Sequence, residues 1–250
     1  MRKVSFGGIN IKGYEIISFL SRRAQTSIAK AKKDNKLYLL KITKKNTELH
    51  FINNISCSTI IAPYEYFLFQ RHLVIVFELA HCDLYQFLQK NNTIPMNTTL
   101  QIMEDCFQAL YYLHCEEIIH HDIKLENIVI FKNSQGTYHA KLISFSGAKS
   151  IDKEPICHCH FCTPGYYGPE FHEGHTYSTD IYSLGITLRY LWSRTQKTGD
   201  SVKIIDNILK RMILNDSDDR ITAQECYSII YYNVLQRHIQ AQNNSINSTN

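Results

Sequence analysis

The period of the apolar residues changes near Asp83, and this change limits the fold more than any other feature of the sequence. Before it, runs rich in β-branched and aromatic residues alternate with polar turns, which is typical of a small antiparallel sheet. These runs are GYEIISFL, SIAKA, KLYLLKI, YEYFLF and HLVIVF. After it, apolar residues recur at spacings of three and four, which predicts an amphipathic helix over about 97–115. Its apolar residues are Leu100, Met103, Phe107, Leu110 and Leu113. Further helices are predicted near 178–192 and 202–212, so we expect an α+β protein with a strand-rich lobe followed by a helical lobe.

The composition is that of a globular protein and excludes several classes of function. The chain has 250 residues, of which 44% are hydrophobic, enough to bury a sizeable core. The formal net charge of +4 is too weak to predict nucleic-acid binding, and the apolar run Leu73–Phe77 is too short to span a membrane. Because the amino end has no apolar export segment, we expect an intracellular protein, cytoplasmic or nuclear, whose eight cysteines stay reduced.

The segment Ile118–Phe131, IIHHDIKLENIVIF, carries the clearest chemical signal. A polar loop between two apolar stretches holds a carboxylate, Asp122, a cation, Lys124, and an amide, Asn127. This set suits phosphoryl transfer, because the carboxylate would orient an attacking hydroxyl group, the cation would offset phosphate charge and the amide would hold a metal ion. The alternative is a polar turn between a helix and a strand.

This loop resembles the H-R-D-x-K-x-x-N catalytic loop of eukaryotic protein kinases of the serine/threonine branch. Three later segments match the family in the same order: CTPGYYGPEF matches its G-T-P-x-Y-x-A-P-E segment, STDIYSLGITL its helix that anchors the catalytic loop, and NDSDDRIT its arginine-bearing segment. The resemblance implies a bilobal kinase-like fold in which Asp180 anchors the catalytic loop. It also implies that Arg220 pairs with Glu170 and that Thr163 hydrogen-bonds toward the carboxylate and the cation of the loop.

The same resemblance assigns the nucleotide-binding residues and the boundaries. Lys41 would steady the ATP phosphates in a pair with Glu48. Because these two residues are unusually close in sequence, a surface glutamate is the alternative for Glu48. The remaining pocket residues would be Ile28, Leu39, Phe77 as gatekeeper, Glu78 as the first hinge residue, Ala80 and Val129. A kinase-like domain is predicted over 1–238, with an N-lobe to about 77, a hinge at 78–82 and a C-lobe over 83–238, followed by a disordered polar tail over 239–250.

The largest departure from the family lies at the metal site. Ser144-Phe145-Ser146 stands where the family has D-F-G, so Asn127 is left as the one metal ligand that the family pattern supplies. A neutral hydroxyl is a weak ligand for Mg²⁺, which prefers carboxylate and phosphate oxygens. Glu126 is the acidic neighbour that would have to replace the carboxylate, and the family gives no reason to expect this.

Three further departures concern the nucleotide and the activation segment. Residues 21–28 stand in place of the glycine-rich loop and contain no glycine. They form either an ordinary β-turn with solvated arginines or a phosphate clamp made by Arg22 and Arg23. Leu39 stands where the family keeps a small alanine and would partly fill the adenine pocket. His121 replaces the arginine that would dock a phosphorylated activation segment.

The missing carboxylate favours a pseudokinase, a kinase fold kept as a regulatory or scaffolding module that binds a protein partner, with weak or no ATP-dependent phosphoryl transfer. The alternative is a divergent active serine/threonine kinase that uses ATP and Mg²⁺ and acts on a protein substrate through Asp122, Lys124 and Asn127. A third hypothesis is a zinc-binding adaptor built on Cys157–Cys162, CHCHFC. A single C-x-x-C pair is half of a structural site, so zinc is not expected.

Overall fold

The computed structural model describes residues 9–44, 47–151, 163–172, 174 and 176–247. The chain forms two compact units, residues 1–81 and 82–250, and the boundary between them falls inside the predicted hinge, 78–82. Within the described residues, no helix has the length and apolar character that crossing a bilayer requires. The mixed α+β class is confirmed, with a sheet in the first unit and helices dominating the second.

The first unit is an antiparallel sheet with the strand order β1-β2-β3-β4-β6-β5. Its strands are β1 (Asn10–Ile11), β2 (Tyr14–Arg22), β3 (Thr26–Lys33), β4 (Lys36–Thr43), β5 (Pro63–Phe69) and β6 (His72–Glu78). A short helix, α1 (Thr47–Ile52), connects β4 to β5. All five strand-type runs of the sequence therefore lie in strands.

Side chains along the strands point alternately to a face that packs in the core and to a second face. Ala29 and Ala31 of β3 and Leu40 of β4 are fully buried in the core, so their sequence neighbours point to the opposite face. β6 differs because it lies between β4 and β5 and buries Leu73–Phe77 on both faces. Burial on both faces explains why this run is continuously apolar.

The second unit is mainly helical. Its helices are α2 (Leu84–Lys90), α3 (Met96–Cys115), α4 (Tyr177–Ser193), α5 (Ser201–Met212) and α6 (Ala223–Asn247). The three helices predicted from the apolar period, α3, α4 and α5, are confirmed to within one residue at each end. All five residues of the predicted α3 stripe are buried, and α3 packs against α6 and α4.

Short strands complete the second unit. They are β7 (Cys82–Asp83), β8 (Ile94–Pro95), β9 (Ile118–Ile119), β10 (Ile128–Lys132), β11 (Tyr138–Leu142), β12 (Lys149–Ser150) and β13 (Thr195–Gln196). β10 pairs with both β11 and β7, whereas β9 pairs with β12. The loop between β9 and β10 is thus held at both of its ends by strand pairing.

The carboxyl-terminal helix, α6, which the apolar period does not predict, extends past the predicted end of the domain. α6 continues to Asn247, so the domain end predicted at residue 238 falls inside the helix, and the polar segment from 239 to 247 is helical where a disordered tail was expected. Extending a formed helix costs little per residue, and Gln and Ala in this segment are good helix formers. The disordered tail is predicted because this segment has few apolar residues to pack, but a formed helix can be extended without such packing.

Candidate active site

The loop between β9 and β10 brings three of the predicted residues together. Lys124 Nζ donates to Asp122 Oδ1 at 2.8 Å and to Thr163 Oγ1 at 2.7 Å. Thr163 Oγ1 in turn donates to Asp122 Oδ1 at 2.9 Å. The contacts expected of Thr163 are confirmed, and they tie the segment that begins at Thr163 to the catalytic loop. One oxygen of the Asp122 carboxylate is engaged by this triangle.

Asn127 holds the other oxygen. Its amide nitrogen donates to Asp122 Oδ2 at 2.8 Å and to the Asp122 carbonyl oxygen at 2.7 Å. Because the nitrogen is used within the loop, only the amide oxygen of Asn127 could coordinate a cation. The side chain therefore braces the loop whether or not a metal ion binds, and its role as a metal ligand stays a prediction.

A buried carboxylate on α4 anchors the loop backbone. Asp180 is fully buried and accepts the backbone N–H of His120 at 2.6 Å and that of His121 at 2.9 Å. Burial alone would raise the pKa of Asp180, but the neighbouring histidines, His114 foremost, hold the pKa below its ordinary value. His114 Nε2 lies 3.6 Å from Asp180 Oδ2, beyond hydrogen-bond distance. The anchoring role expected of Asp180 is supported by this geometry.

The second unit also contains the expected pair at the end of the 163–172 segment. Arg220 donates to Glu170 through two nitrogens, Nη1 at 2.5 Å and Nη2 at 2.7 Å, and the arginine side chain is fully buried. Gly168 stands where the family segment has alanine, and a Cβ there would lie 2.3 Å from Glu170 Oε2. Glycine at this position therefore leaves room for the ion pair in its present place.

In the first unit, the predicted nucleotide-binding residues share one sheet face. Ile28 of β3 lies opposite Lys41 of β4, and Leu39 of β4 lies opposite Phe77 of β6. All four alternate with core residues, so they belong to the face away from the core. Glu78 ends β6, Ala80 follows it, and Val129 lies in β10 of the second unit. Their contact with nucleotide stays a prediction.

Lys41 forms an ion pair with Glu48, which α1 places beside the sheet. Glu48 is only 5% exposed, so the alternative of a surface glutamate is excluded. The short separation between the two residues is accommodated because α1 is short and starts soon after β4 ends.

Comparison with known proteins agrees with this arrangement. The family model described as protein kinase domain matches residues 20–202, well over half of the chain. The chain belongs to the protein kinase family.

Three relatives that match this kinase domain are themselves named as kinases. The meiosis-specific serine/threonine-protein kinase mek1 of Schizosaccharomyces pombe is 31% identical over 180 residues, which cover 58% of this chain and 40% of the relative. Homeodomain-interacting protein kinase 2 of Mesocricetus auratus is 27% identical over 198 residues, covering 72% of this chain and 17% of the relative. Dual specificity tyrosine-phosphorylation-regulated kinase 2 of Drosophila melanogaster is 31% identical over 138 residues, which cover 54% of this chain and 19% of the relative. The chain thus spans less than half the length of these relatives.

Against this family background, the two histidines of the kinase domain's catalytic loop hold the segment that departs most from the family. His120 Nδ1 accepts the Asp122 N–H at 3.2 Å, and its Nε2 lies 2.9 Å from the Ile143 carbonyl oxygen. Since a carbonyl only accepts, Nε2 carries the proton and the ring is neutral, in keeping with the lowered pKa that burial imposes on His120. His121 Nδ1 donates to the Gly147 carbonyl oxygen at 3.0 Å. The pair brackets Ser144–Ser146 from both sides.

Ser144 itself adopts a left-handed backbone conformation, with φ of 75°. The next residue, Phe145, is fully buried and packs edge-on against His120, with 5.0 Å between ring centroids. Glu126, the acidic neighbour that the sequence offers as a replacement ligand, is exposed on the 3₁₀ helix Leu125–Asn127. In the part of the chain that the structure describes, no group of three or more His, Cys, Asp or Glu residues is arranged to hold a metal ion. The zinc-type segment Cys157–Cys162 lies outside the described residues.

The hairpin that replaces the glycine-rich loop is an ordinary tight turn. Arg23 N donates to Thr26 O at 2.9 Å, and none of residues 21–28, all of them described, has a positive φ. The Gln25 carbonyl oxygen accepts the Lys44 N–H at 3.2 Å, which ties the turn to the end of β4. Arg22 and Arg23 are exposed, and the Arg22 guanidinium stacks 3.8 Å from the centroid of Phe19. This geometry favours the β-turn over the arginine clamp.

The sequence does not reveal the place of one side chain near the loop, His114, or one contact of another, His121. His114 belongs to α3, and nothing in the α3 pattern distinguishes it from a solvated residue, because only packing against α4 brings it to Asp180. His121 was recognised as the replacement of an arginine, but its bond to Gly147 depends on a chain approach that no local spacing reveals.

Proposed function

We propose that this kinase domain is a pseudokinase, a regulatory or scaffolding module that binds a protein partner and transfers phosphate weakly or not at all. The observation that carries the proposal is Ser144, a hydroxyl at the position where the family presents the carboxylate for Mg²⁺. Loss of metal charge stabilisation of about 4 kcal/mol slows phosphoryl transfer about a thousandfold. The free thiols of the described cysteines, Cys57, Cys82, Cys106, Cys115 and Cys226, suit a reducing intracellular compartment.

The donor set fits a nucleotide better than it fits a metal ion. The Lys41–Glu48 pair presents a positioned ammonium, the group that the family uses on ATP phosphates. At the metal position, by contrast, the chain offers one amide oxygen and one hydroxyl, both neutral, from Asn127 and Ser144. The hairpin over residues 21–28 presents no backbone nest for phosphate oxygens. A bound nucleotide would therefore keep most of its phosphate charge uncompensated.

The second candidate function is that of a divergent active serine/threonine kinase acting on a protein substrate. It is favoured by the triangle of Asp122, Lys124 and Thr163, in which the carboxylate that would orient a substrate hydroxyl is already placed beside the cation. The same bonds serve the pseudokinase reading, because they hold the loop and the segment after Thr163 together without any substrate.

Phosphoryl transfer separates the two functions. The full chain is incubated with γ-labelled ATP, Mg²⁺ and a generic protein substrate, with Asp122→Asn as the control for contaminating kinases. We expect no transfer above that control. Robust transfer that Asp122→Asn abolishes would reject the pseudokinase proposal.

A pair of serine variants tests the cause. Ser144→Asp restores the carboxylate, whereas Ser146→Asp adds the same charge at an exposed position of the same turn. Saturating nucleotide at about a hundred times its dissociation constant adds about 2.7 kcal/mol of stability, which is a rise of about 5–10 °C in melting temperature for a chain of this size. We expect a Mg²⁺-dependent rise with ATP for Ser144→Asp alone. A Mg²⁺-dependent rise already present in the wild type would contradict the reasoning.

A further inference from the structure

The two units carry net charges of opposite sign, which the small net charge of the whole chain does not reveal. Residues 1–81 contain 13 Lys and Arg against five Asp and Glu, whereas residues 82–250 contain 14 against 18. A surplus of one sign on one unit raises the local concentration of partners of the opposite sign and steers their approach. The first unit is therefore the part of the chain suited to an anionic partner.

Part of this positive charge is gathered at one end of the sheet. Lys12 Nζ lies 4.5 Å from the ring centroid of Phe67, and Lys33 Nζ lies 4.4 Å from that of Tyr14. Lys36 Nζ lies 4.9 Å from the centroid of Tyr64. We call this surface the lysine–tyrosine patch and define it as Lys12, Lys33, Lys36, Tyr14, Tyr38 and Tyr64. The ammonium groups are held over aromatic rings, so they are positioned before any partner arrives.

Two of the lysines face each other across a hairpin. Lys33 and Lys36 are direct partners in the register of β3 and β4, and the two-residue turn between them, Asp34–Asn35, has φ values of 47° and 60°. Like charges directly opposite each other destabilise a strand pair. The turn therefore fixes two lysines side by side, and the one carboxylate between them in the chain is that of Asp34.

The carboxylates nearby neutralise the patch only in part. Glu65 accepts the Tyr14 hydroxyl at 2.5 Å and lies 3.5 Å from Lys33 Nζ, and the bond from Tyr14 holds the pKa of Glu65 below its ordinary value. Glu65 is thus committed to Tyr14 and Lys33. Among the residues that the structure describes, neither Lys12 nor Lys36 has a carboxylate within ion-pair distance.

The aromatic rings decide between the classes of anionic partner. Tyr38 packs edge-to-face against both Tyr14 and Tyr64, with centroids 5.2 and 5.7 Å apart, and Lys33 and Lys36 lie over the rings of Tyr14 and Tyr64. Nucleic acid would gain from open ring faces on which bases stack, and these rings are already occupied. A carboxylate needs only an ammonium group, and Tyr64, 52% exposed, adds apolar area for a peptide.

We propose that the lysine–tyrosine patch docks an acidic, Asp- and Glu-rich segment of a partner protein. The proposal names the chemistry of the partner of a protein-binding pseudokinase and to that extent rests on the proposed function. Docking at the patch neither requires nor prevents phosphoryl transfer.

The experiment measures fluorescence anisotropy of a labelled peptide of alternating glutamate and serine mixed with the full chain. The test variant is K12M/K36M, which removes two charges of the patch and keeps Lys33, because Lys33 is bound to Glu65. The matched control is K30M/K32M, which removes two charges from the opposite face of β3, where Ala29 and Ala31 mark the core side. We expect K12M/K36M to raise the dissociation constant of the peptide about tenfold, because two exposed lysines are lost. We expect the control to change it less than about twofold.

Three results would overturn the proposal: no peptide binding by the wild type, equal weakening in both variants, or tighter binding of a labelled oligo(dT) of the same net charge that K12M/K36M abolishes. Thermal unfolding of each variant checks that it is folded. Phosphate transfer measured on the same samples reports separately on the proposed function. Robust transfer together with patch-dependent peptide binding would reject the pseudokinase and leave the docking site standing.

Discussion

The buried ion pair between Arg220 and Glu170 offers the sharpest test of how the second unit is held together. Besides the two bonds to Glu170, Arg220 donates to the carbonyl oxygens of Leu214 at 2.8 Å, Ser178 at 3.1 Å and Asn215 at 3.3 Å. Every nitrogen of the guanidinium is thus used in the protein interior. Arg220→Met removes the charge and leaves Glu170, whose side chain is 11% exposed, without its cation.

The expected cost follows from that burial. Removing one partner of a buried, hydrogen-bonded ion pair costs about 4 kcal/mol, which corresponds to about 12 °C in melting temperature for a chain of this size. Arg211 supplies a matched control, because it pairs with Glu225 at 3.1 Å with both side chains well exposed. Arg211→Met should cost less than about 1 kcal/mol. Thermal unfolding followed by circular dichroism measures both variants. If Arg220→Met lowers the melting temperature no more than Arg211→Met does, burial is not what makes this pair strong.

Three further predictions concern the site. Lys41→Met removes the ammonium group from the buried carboxylate of Glu48, so urea unfolding should show that the free energy of unfolding falls by about 2–3 kcal/mol. The control Lys32→Met, at an exposed position, should lower it by less than about 0.5 kcal/mol. Equal losses in the two variants would contradict the role of the pair. The pKa of Asp180 is lowered from 3.8 in the folded state, so the carboxylate contributes stability that is fully present above 3.8 and is lost as pH falls through the lower, folded pKa. Asp180→Asn should therefore flatten the acid limb of the urea midpoint measured between about pH 6 and pH 2, and an unchanged limb would refute this. In the Ser144→Asp background, Leu39→Ala should increase the ATP-induced rise in melting temperature because the leucine partly fills the adenine pocket, and an unchanged rise would show that it does not.

Local sequence patterns predicted most of the elements that carry the site. The apolar period located α3, α4 and α5 to within a residue at each end, because the stripe that must be buried repeats within each helix. The spacing of Asp122, Lys124 and Asn127 identified the loop, since residues this close in sequence stay close in any fold. The resemblance to kinases then named distant partners, and the contacts of Thr163 with the loop and of Arg220 with Glu170 are present.

The sequence by itself determined the strand-rich and helical parts, the loop that carries Asp122, Lys124 and Asn127, and the absence of a carboxylate at Ser144, since each of these is read from residues that are neighbours in the chain. Only the tertiary structure decided that Glu48 is buried against Lys41, that His121 bonds to Gly147, and that three lysines share one end of the sheet. Such contacts depend on strand register and on the packing of elements far apart in sequence, and neither leaves a periodic signal in the segments concerned.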